Sequence, residues 1–189
     1  MSDLTHPHGP SRWERGLSRV IHATKILDLC GTFYRHPVRG TQREFVTLNA
    51  RDWVNVVALT TEARIVLVRQ FRFGIDDLSL EVPGGVIEAG EDPVAAGVRE
   101  LAEETGYVGH SAQLLGSVYP NPAIQNNRCH IVLVESASCR QPLDWDADEE
   151  LEVSTVMIEE ALRLASTGGI THSLSLCALM LFEAKRLRK

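Results

Sequence analysis

A mixed β-sheet covered by helices, an α/β fold, is what this sequence predicts, and three observations carry the prediction. Residues 54–59 and 64–68 are apolar runs rich in β-branched residues, separated only by Thr60-Thr61-Glu62-Ala63, which reads as a β-hairpin. A helix is bounded on both sides: Asp92 stands at an N-cap position, Pro93 at the first helical position and Gly106 at the stop. The chain closes on helical patterns at 158–165 and 173–187, the second with Leu174, Ala178, Leu181 and Phe182 as an apolar stripe. Strands interleaved with three helices suit a sheet that buries its faces under helices.

The elements follow in order. Residues 1–11 read as a flexible lead, with His6 and His8 in a Pro- and Gly-containing stretch that suits disorder better than metal binding. Loose alternation over 25–35, a turn marked by Pro37 and Gly40, and a return over 44–48 predict an antiparallel hairpin. A hairpin alone cannot bury itself, so it must pack on the main body or on a second copy of the chain. The expected division is therefore 1–50, a lead plus hairpin and a dimerisation candidate, and 51–189, the main domain. Residues 78–82 run into Pro83-Gly84-Gly85. Beyond the bounded helix, 112–119 and 129–135 read as strands joined by the rigid Tyr119-Pro120-Asn121-Pro122. An acidic loop over 141–150 precedes a strand at 151–157, and Gly168-Gly169 separates the closing helices.

Composition narrows the function. At 189 residues and 44% apolar, the chain can bury one sizeable core. Its net charge is −6, and the one basic block is the short tail from Lys185, so a nucleic-acid backbone is an unfavourable main partner. Four cysteines without paired spacing suit reduced thiols, and neither an 18-residue apolar run nor a signal-peptide pattern is present; the expectation is a cytoplasmic protein without a membrane partner.

The chemistry concentrates between Gly85 and Tyr107. Glu100, Glu103 and Glu104 fall on one arc of the helix at i, i+3 and i+4, Val94, Val98 and Leu101 on another, and Glu91 adds a carboxylate just before it. A solvated acidic face is the ordinary reading of such a cluster. Two details oppose it. Glu103 and Glu104 lie in the last turn, where the helix dipole disfavours negative charge. Gly84-Gly85 lets a backbone carbonyl approach whatever the carboxylates hold. Oxygen-only ligands suit a hard cation, Mg²⁺ or Mn²⁺, better than zinc.

Gly85, Glu91, Arg99-Glu100-Leu101, Glu103-Glu104 and Gly106, at these spacings, resemble the full signature of the Nudix hydrolases. Seven fixed residues at roughly 6% background each match by chance on the order of once in 10⁸ starts or fewer. Tyr107 departs from the aliphatic residue usual there, a change that still permits packing. The resemblance implies a Nudix α/β/α sandwich with a mixed sheet, hydrolysing a nucleoside diphosphate linked to another group. By the family pattern Glu100 and Glu104 are the primary metal ligands, Glu103 a ligand or proton acceptor, and the Gly84 carbonyl a further ligand. Arg99 orients a glutamate, against the plain reading of an i,i+4 partner for Glu103. Glu91 is structural or supports the ligands.

Val-Arg-Gln-Phe-Arg (68–72) with Leu-Glu-Val-Pro-Gly-Gly (80–85) resembles the branch acting on ADP-ribose and nucleoside diphosphate sugars, in which the match to Arg72 meets the substrate phosphates. A guanidinium fork suits a diphosphate. Pro122 falls where that branch carries a Pro, but the surrounding Asn121–Arg128 run departs from its usual Ser-Pro-Gly turn and leaves room for other nucleotide sugars. Asn126 and Arg128 read as sugar or phosphate contacts, or equally as loop residues capping their own backbone. In the acidic loop Glu149 best matches the further glutamate of related enzymes, with Glu150 next, against a solvated charge run. Trp53, Trp13 and Tyr34 are candidates to stack a base, while His130 and His172 read as structural. The expectation is a Mg²⁺-dependent pyrophosphatase (Mn²⁺ the alternative ion) for nucleoside diphosphate sugars, working as a homodimer. Its rivals are another Nudix substrate (dinucleoside polyphosphate, capped RNA or coenzyme A) and a non-catalytic sugar-nucleotide sensor.

Overall fold

The computed structural model describes residues 9–145 and 150–188. Two compact units emerge, one holding the described chain up to Ala50 with Asn121–Asn126, the other Arg51–Pro120 with the chain from Asn127 onward.

In the first unit the predicted hairpin is the inner and outer part of a three-stranded antiparallel sheet. β1 (Glu14–Ala23) pairs with β2 (Leu27–Arg35), which pairs with β3 (Gln42–Ala50) in unbroken register from Leu27↔Ala50 to Arg35↔Gln42. The sequence reading missed β1. All ten of its residues are exposed, so no buried face imposes alternation on them, and its register slips twice. Thr24 closes the β1–β2 turn, its hydroxyl accepting from the Leu27 amide and donating to the Leu27 carbonyl. Trp13, Tyr34 and Phe45 stack edge to face, with ring centroids 5.7 Å and 5.9 Å from Phe45. Two of the aromatic candidates are thus engaged with each other's neighbour in this sheet.

The second unit is the α/β/α sandwich. Its elements are β4 (Trp53–Thr60), β5 (Arg64–Arg72), β6 (Asp77–Glu81), β7 (Gly84–Val86), α1 (Pro93–Thr105), β8 (Tyr107–Val108), β9 (Ser111–Val118), β10 (Cys129–Cys139), β11 (Leu151–Met157), α2 (Ile158–Thr167) and α3 (Ser173–Arg186). The sheet runs β11-β5-β4-β10-β8, with β6 on β5, β7 on β4 and β9 on β10. It is mixed because β4 and β10 are parallel, from Trp53↔Cys129 to Ala58↔Val134, while the other pairings are antiparallel. The long connection between these two strands is what carries α1 across the sheet.

Both faces of the central strands are buried, which explains why they read as continuous apolar runs rather than alternating ones. Val54, Val56 and Ala58 of β4 point to the α1 side and pack with Ala96, Leu101 and Val132. Val57, Ile65 and Leu67 point the other way and pack with Ile158, Ala161, Leu174 and Phe182 of α2 and α3. Leu101 is fully buried, a contribution of about 1.5–3 kcal/mol. Gly97 lets α1 lie close on the strands: a Cβ there would sit 3.2 Å from the side chains of Val54 and Val132.

That contact leaves no room for two further methyl groups. Gly97→Val should therefore lower stability by about 1–3 kcal/mol, read from the urea denaturation midpoint. An unchanged midpoint would show that α1 can lift off the sheet freely.

Candidate active site

α1 begins as its sequence demands. The Asp92 side chain accepts from the amides of Val94 and Ala95 at 2.9 and 3.1 Å, and Pro93 spares an unpaired N–H. It ends at Gly106, left-handed at φ 71°, whose N–H closes on the Ala102 carbonyl at 2.8 Å. The last-turn carbonyls find partners outside the helix: Asp144 N–H donates to Glu103 O at 3.0 Å, and the Trp145 indole N–H to Glu104 O at 2.9 Å.

The carboxylates of this helix are gathered by one guanidinium. Arg99 binds Glu91 through Nε and Nη2 at 2.9 and 3.0 Å, and its Nη1 reaches Glu100 at 2.9 Å and Glu103 at 2.8 Å. Arg99 is thus more than the i,i+4 partner of Glu103, because Glu91, eight residues upstream, takes two of its donors. Its hydrogen bonds hold the Glu91 carboxyl below the usual carboxylate range, and Glu91 in return raises the guanidinium. Glu104 is turned the other way. Buried at 5% exposure, it accepts the Gly84 N–H at 2.9 Å. Glu100 lies directly against Gly85, where any Cβ would overlap its carboxylate. Arg99 stands between three of the carboxylates, and no group of three His, Cys, Asp or Glu among the described residues is drawn together at metal-holding geometry.

Two cavities flank the Gly84–Val86 strand and share it together with Arg72. The first, about 490 Å³, is the carboxylate cavity, lined by Glu100, Glu103, Glu104, Glu88 and Asp144. The second, about 590 Å³, lies on the α3 side and is lined by Trp53, Asn55, Ser79, Glu81 and His172. Arg72 is aimed by a buried partner. Its Nε and Nη2 donate to Glu81 at 2.8 and 2.7 Å, and His172 Nδ1 lies 2.9 Å from the same carboxylate, which is 1% exposed. Burial disfavours the charged form of Glu81, but Arg72 and His172 more than offset it and hold the carboxyl well below its usual range.

Of the residues singled out from sequence, the structure brings Gly84, Arg99, Glu100, Glu103, Glu104 and Arg72 around one cavity and Trp53 into its neighbour. Arg128 and Asn126 line neither. Arg128 stacks on the Tyr119 ring at 5.3 Å and donates to its hydroxyl, while Asn126 bonds Asn49 and the Ala50 amide within the first unit, the backbone-capping alternative for a loop amide. Glu150 is exposed immediately before β11, and Glu149 lies outside the described residues. Sequence reading gave no role to Glu81, Asn55, Ser79, Asp144 or Trp145, and took His172 as structural. Glu81 and Ser79 carried the one available signal, polar residues alternating with Leu78, Leu80 and Val82 on a strand that turns them inward.

Removing Arg72 should expose the cost of that buried carboxylate. With His172 still beside Glu81, and Arg72 itself 43% exposed, Arg72→Met should lower stability by about 2–3 kcal/mol at neutral pH. Because the folded carboxyl is depressed, the gap should be full above the ordinary carboxylate pKa of about 4.3 and close as pH falls through the folded value, in urea denaturation across acidic pH.

The family comparison agrees with this layout. The NUDIX domain family matches residues 50–173. An ADP-ribose pyrophosphatase of Bacillus subtilis (strain 168) is 32% identical over 167 residues, spanning 87% of this chain and 89% of that one. An ADP-sugar pyrophosphatase of Mus musculus is 46% identical over 142 residues, 71% of this chain and 65% of its own. A solved structure described as an ADP compounds hydrolase superposes with a TM-score of 0.82 at 18% identity, covering 93% of this chain and 95% of its own, a likeness of fold. With the signature helix, the sandwich that seats it and a family match over most of the chain, the protein belongs to the NUDIX domain family.

Proposed function

We propose that the protein is a divalent-cation-dependent Nudix pyrophosphatase that hydrolyses a nucleoside diphosphate sugar, ADP-ribose included, to a nucleoside monophosphate and a sugar phosphate. The observation that carries this reading is the shared edge of the two cavities. Arg72 lines both the carboxylate cavity and a second cavity of about 590 Å³, which supports reading its guanidinium as the group that meets the diphosphate. The names of the curated relatives point to the same substrate class.

The donor set fits a hard divalent cation: Glu100, Glu103, Glu104 and the Gly84 carbonyl offer oxygen alone, and the missing Cβ of Gly85 is the space that the Glu100 carboxylate uses. A bound cation, Mg²⁺ first and Mn²⁺ second, offsets the diphosphate charge and supplies an acidified water. The protein's own groups do the rest. Arg72 holds the diphosphate with a fork fixed by Glu81. Arg99 keeps three like charges together before substrate arrives. The reading assigns Glu103, at 39% exposure the most open helix carboxylate bonded to Arg99, as the acceptor of the water's proton, and Glu149 or Glu150 of the acidic loop as the further base.

The reading also assigns residues 1–50 as a leading segment that joins two copies in a homodimer, and 51–189 as the catalytic domain. Exposed Leu17, Val20, Phe33 and Val46 in the three-stranded sheet support an unmet need for burial there. No described helix is long and apolar enough to cross a membrane, and the four cysteines are unpaired, which supports a cytoplasmic setting.

Purified protein should release nucleoside monophosphate from ADP-ribose with Mg²⁺ and lose that activity in chelator, and Glu104→Gln should cut turnover by roughly a hundredfold or more. The variant's Oε1 can still accept the Gly84 amide, so its melting temperature should stay near the wild type's. Turnover that survives chelation would sink the cation reading. Binding of sugar nucleotide without turnover would replace the enzyme with a sensor.

A further inference from the structure

The second cavity, on the α3 side of the sheet, shares Arg72 and the Gly84–Val86 strand with the carboxylate cavity, while the rest of its lining takes no part in the cation and diphosphate chemistry. Its deep wall is polar although almost sealed: Asn55 is 5% exposed, Ser79 4% and Glu81 1%. Buried polar groups are costly unless bonded, so the direction of each bond is informative. Glu81 can only accept. His172 Nδ1 therefore carries the proton that it shares between Glu81 Oε2 and Ser175 Oγ, each 2.9 Å away. Ser175, fully buried, is itself held by the Val82 N–H at 3.1 Å. The imidazole is locked with Nδ1–H inward, so Nε2, an acceptor in the neutral ring, is the atom left over for the cavity.

Asn55 is fixed in the opposite sense. Burial pushes the Cys129 thiol up to about 12, so at neutral pH it keeps its proton and donates it to Asn55 Oδ1 at 3.3 Å. The carboxamide's NH₂ then remains as a donor. Ser79 Oγ has no bond within the chain among the described residues and can act both ways. One donor, one acceptor and one hydroxyl on a wall facing Trp53 match neighbouring sugar hydroxyls, each of which donates and accepts. Trp53, with Ile75, Val86 and Leu174, supplies apolar surface for one face of a ring, so the buried polar groups are what favour a sugar over a nucleobase.

We propose that this cavity is the subsite for the sugar half of the substrate, and that His172, with Asn55 and Ser79, determines specificity by reading that sugar's hydroxyls. The inference rests on the functional reading above, which supplies the diphosphate at Arg72. It assigns His172 a role that its isolation in the sequence concealed.

The test compares ADP-ribose with an ADP ester of a simple alkyl alcohol, which lacks the hydroxyls, as substrate or as competitive inhibitor. Ser79→Ala should lower kcat/KM for ADP-ribose on the order of tenfold while leaving the alkyl ester's constant within about twofold, and His172→Leu, which also removes a partner of Glu81, should lower both constants but that for ADP-ribose by about tenfold more. His172→Gln, which retains an acceptor, should recover part of the loss. Equal losses on both compounds would show that His172 acts only by holding Glu81 and Arg72, and would overturn the proposal. So would variants that alter the choice between adenine and uracil on the same sugar, because the cavity would then hold the base. A wild type inert toward every sugar nucleotide would instead overturn the functional reading itself.

Discussion

One guanidinium keeps three negative charges in place. Glu91, Glu100 and Glu103 stand around Arg99 at 2.8–3.0 Å, and without it their mutual repulsion would spread the last turns of α1. The helix dipole worsens that repulsion, since no basic residue lies in the last turn of α1. The fold meets the problem in two further ways. Glu104 is turned back to the Gly84 amide, and the Asp144 amide and Trp145 indole bond the orphan carbonyls at the helix end. An acidic helix terminus that would be unstable alone is thus held ready for a positive ligand.

The sheet decides what that helix faces. β4 sends Val54, Val56 and Ala58 to the α1 side, and Val57 with Trp53 and Asn55 to the α3 side, as the pleat requires. Two chemically different cavities therefore form on either side of one strand pair, an acidic one and a more apolar one with a buried polar patch. The Gly84–Val86 strand is thin enough to be shared by both because Gly84 and Gly85 carry no side chains where Val54, Asn55 and Glu100 come close. Arg72 at the end of β5 reaches that shared edge, and its aim depends on the buried Glu81 at the end of β6.

Much of this was readable before folding. The spacing of Glu100, Glu103 and Glu104 within a capped helix already implies one face, since helical geometry is local. The hairpin of β4 and β5, the strands β9 to β11 and the closing helices announced themselves through β-branched runs and an apolar stripe. Other features had no local signal. β1 is exposed along its whole length and lacks the alternation by which strands are recognised. Arg128 looked available for substrate, yet Tyr119, nine residues upstream, occupies it. His172 has no carboxylate at ligand spacing in the chain; its partner Glu81 is brought to it across the fold.

Periodicity and spacing were enough to establish the architecture, the helix that carries the carboxylates and the hard-cation chemistry those residues suit, because each is a property of neighbours along the chain. Which groups Arg99 joins, how Arg72 is aimed, and how Asn55, Ser79 and His172 come to share one wall were settled by packing alone. Those contacts link residues far apart in sequence, and they exist only once α1 and α3 are pressed onto opposite faces of the same sheet.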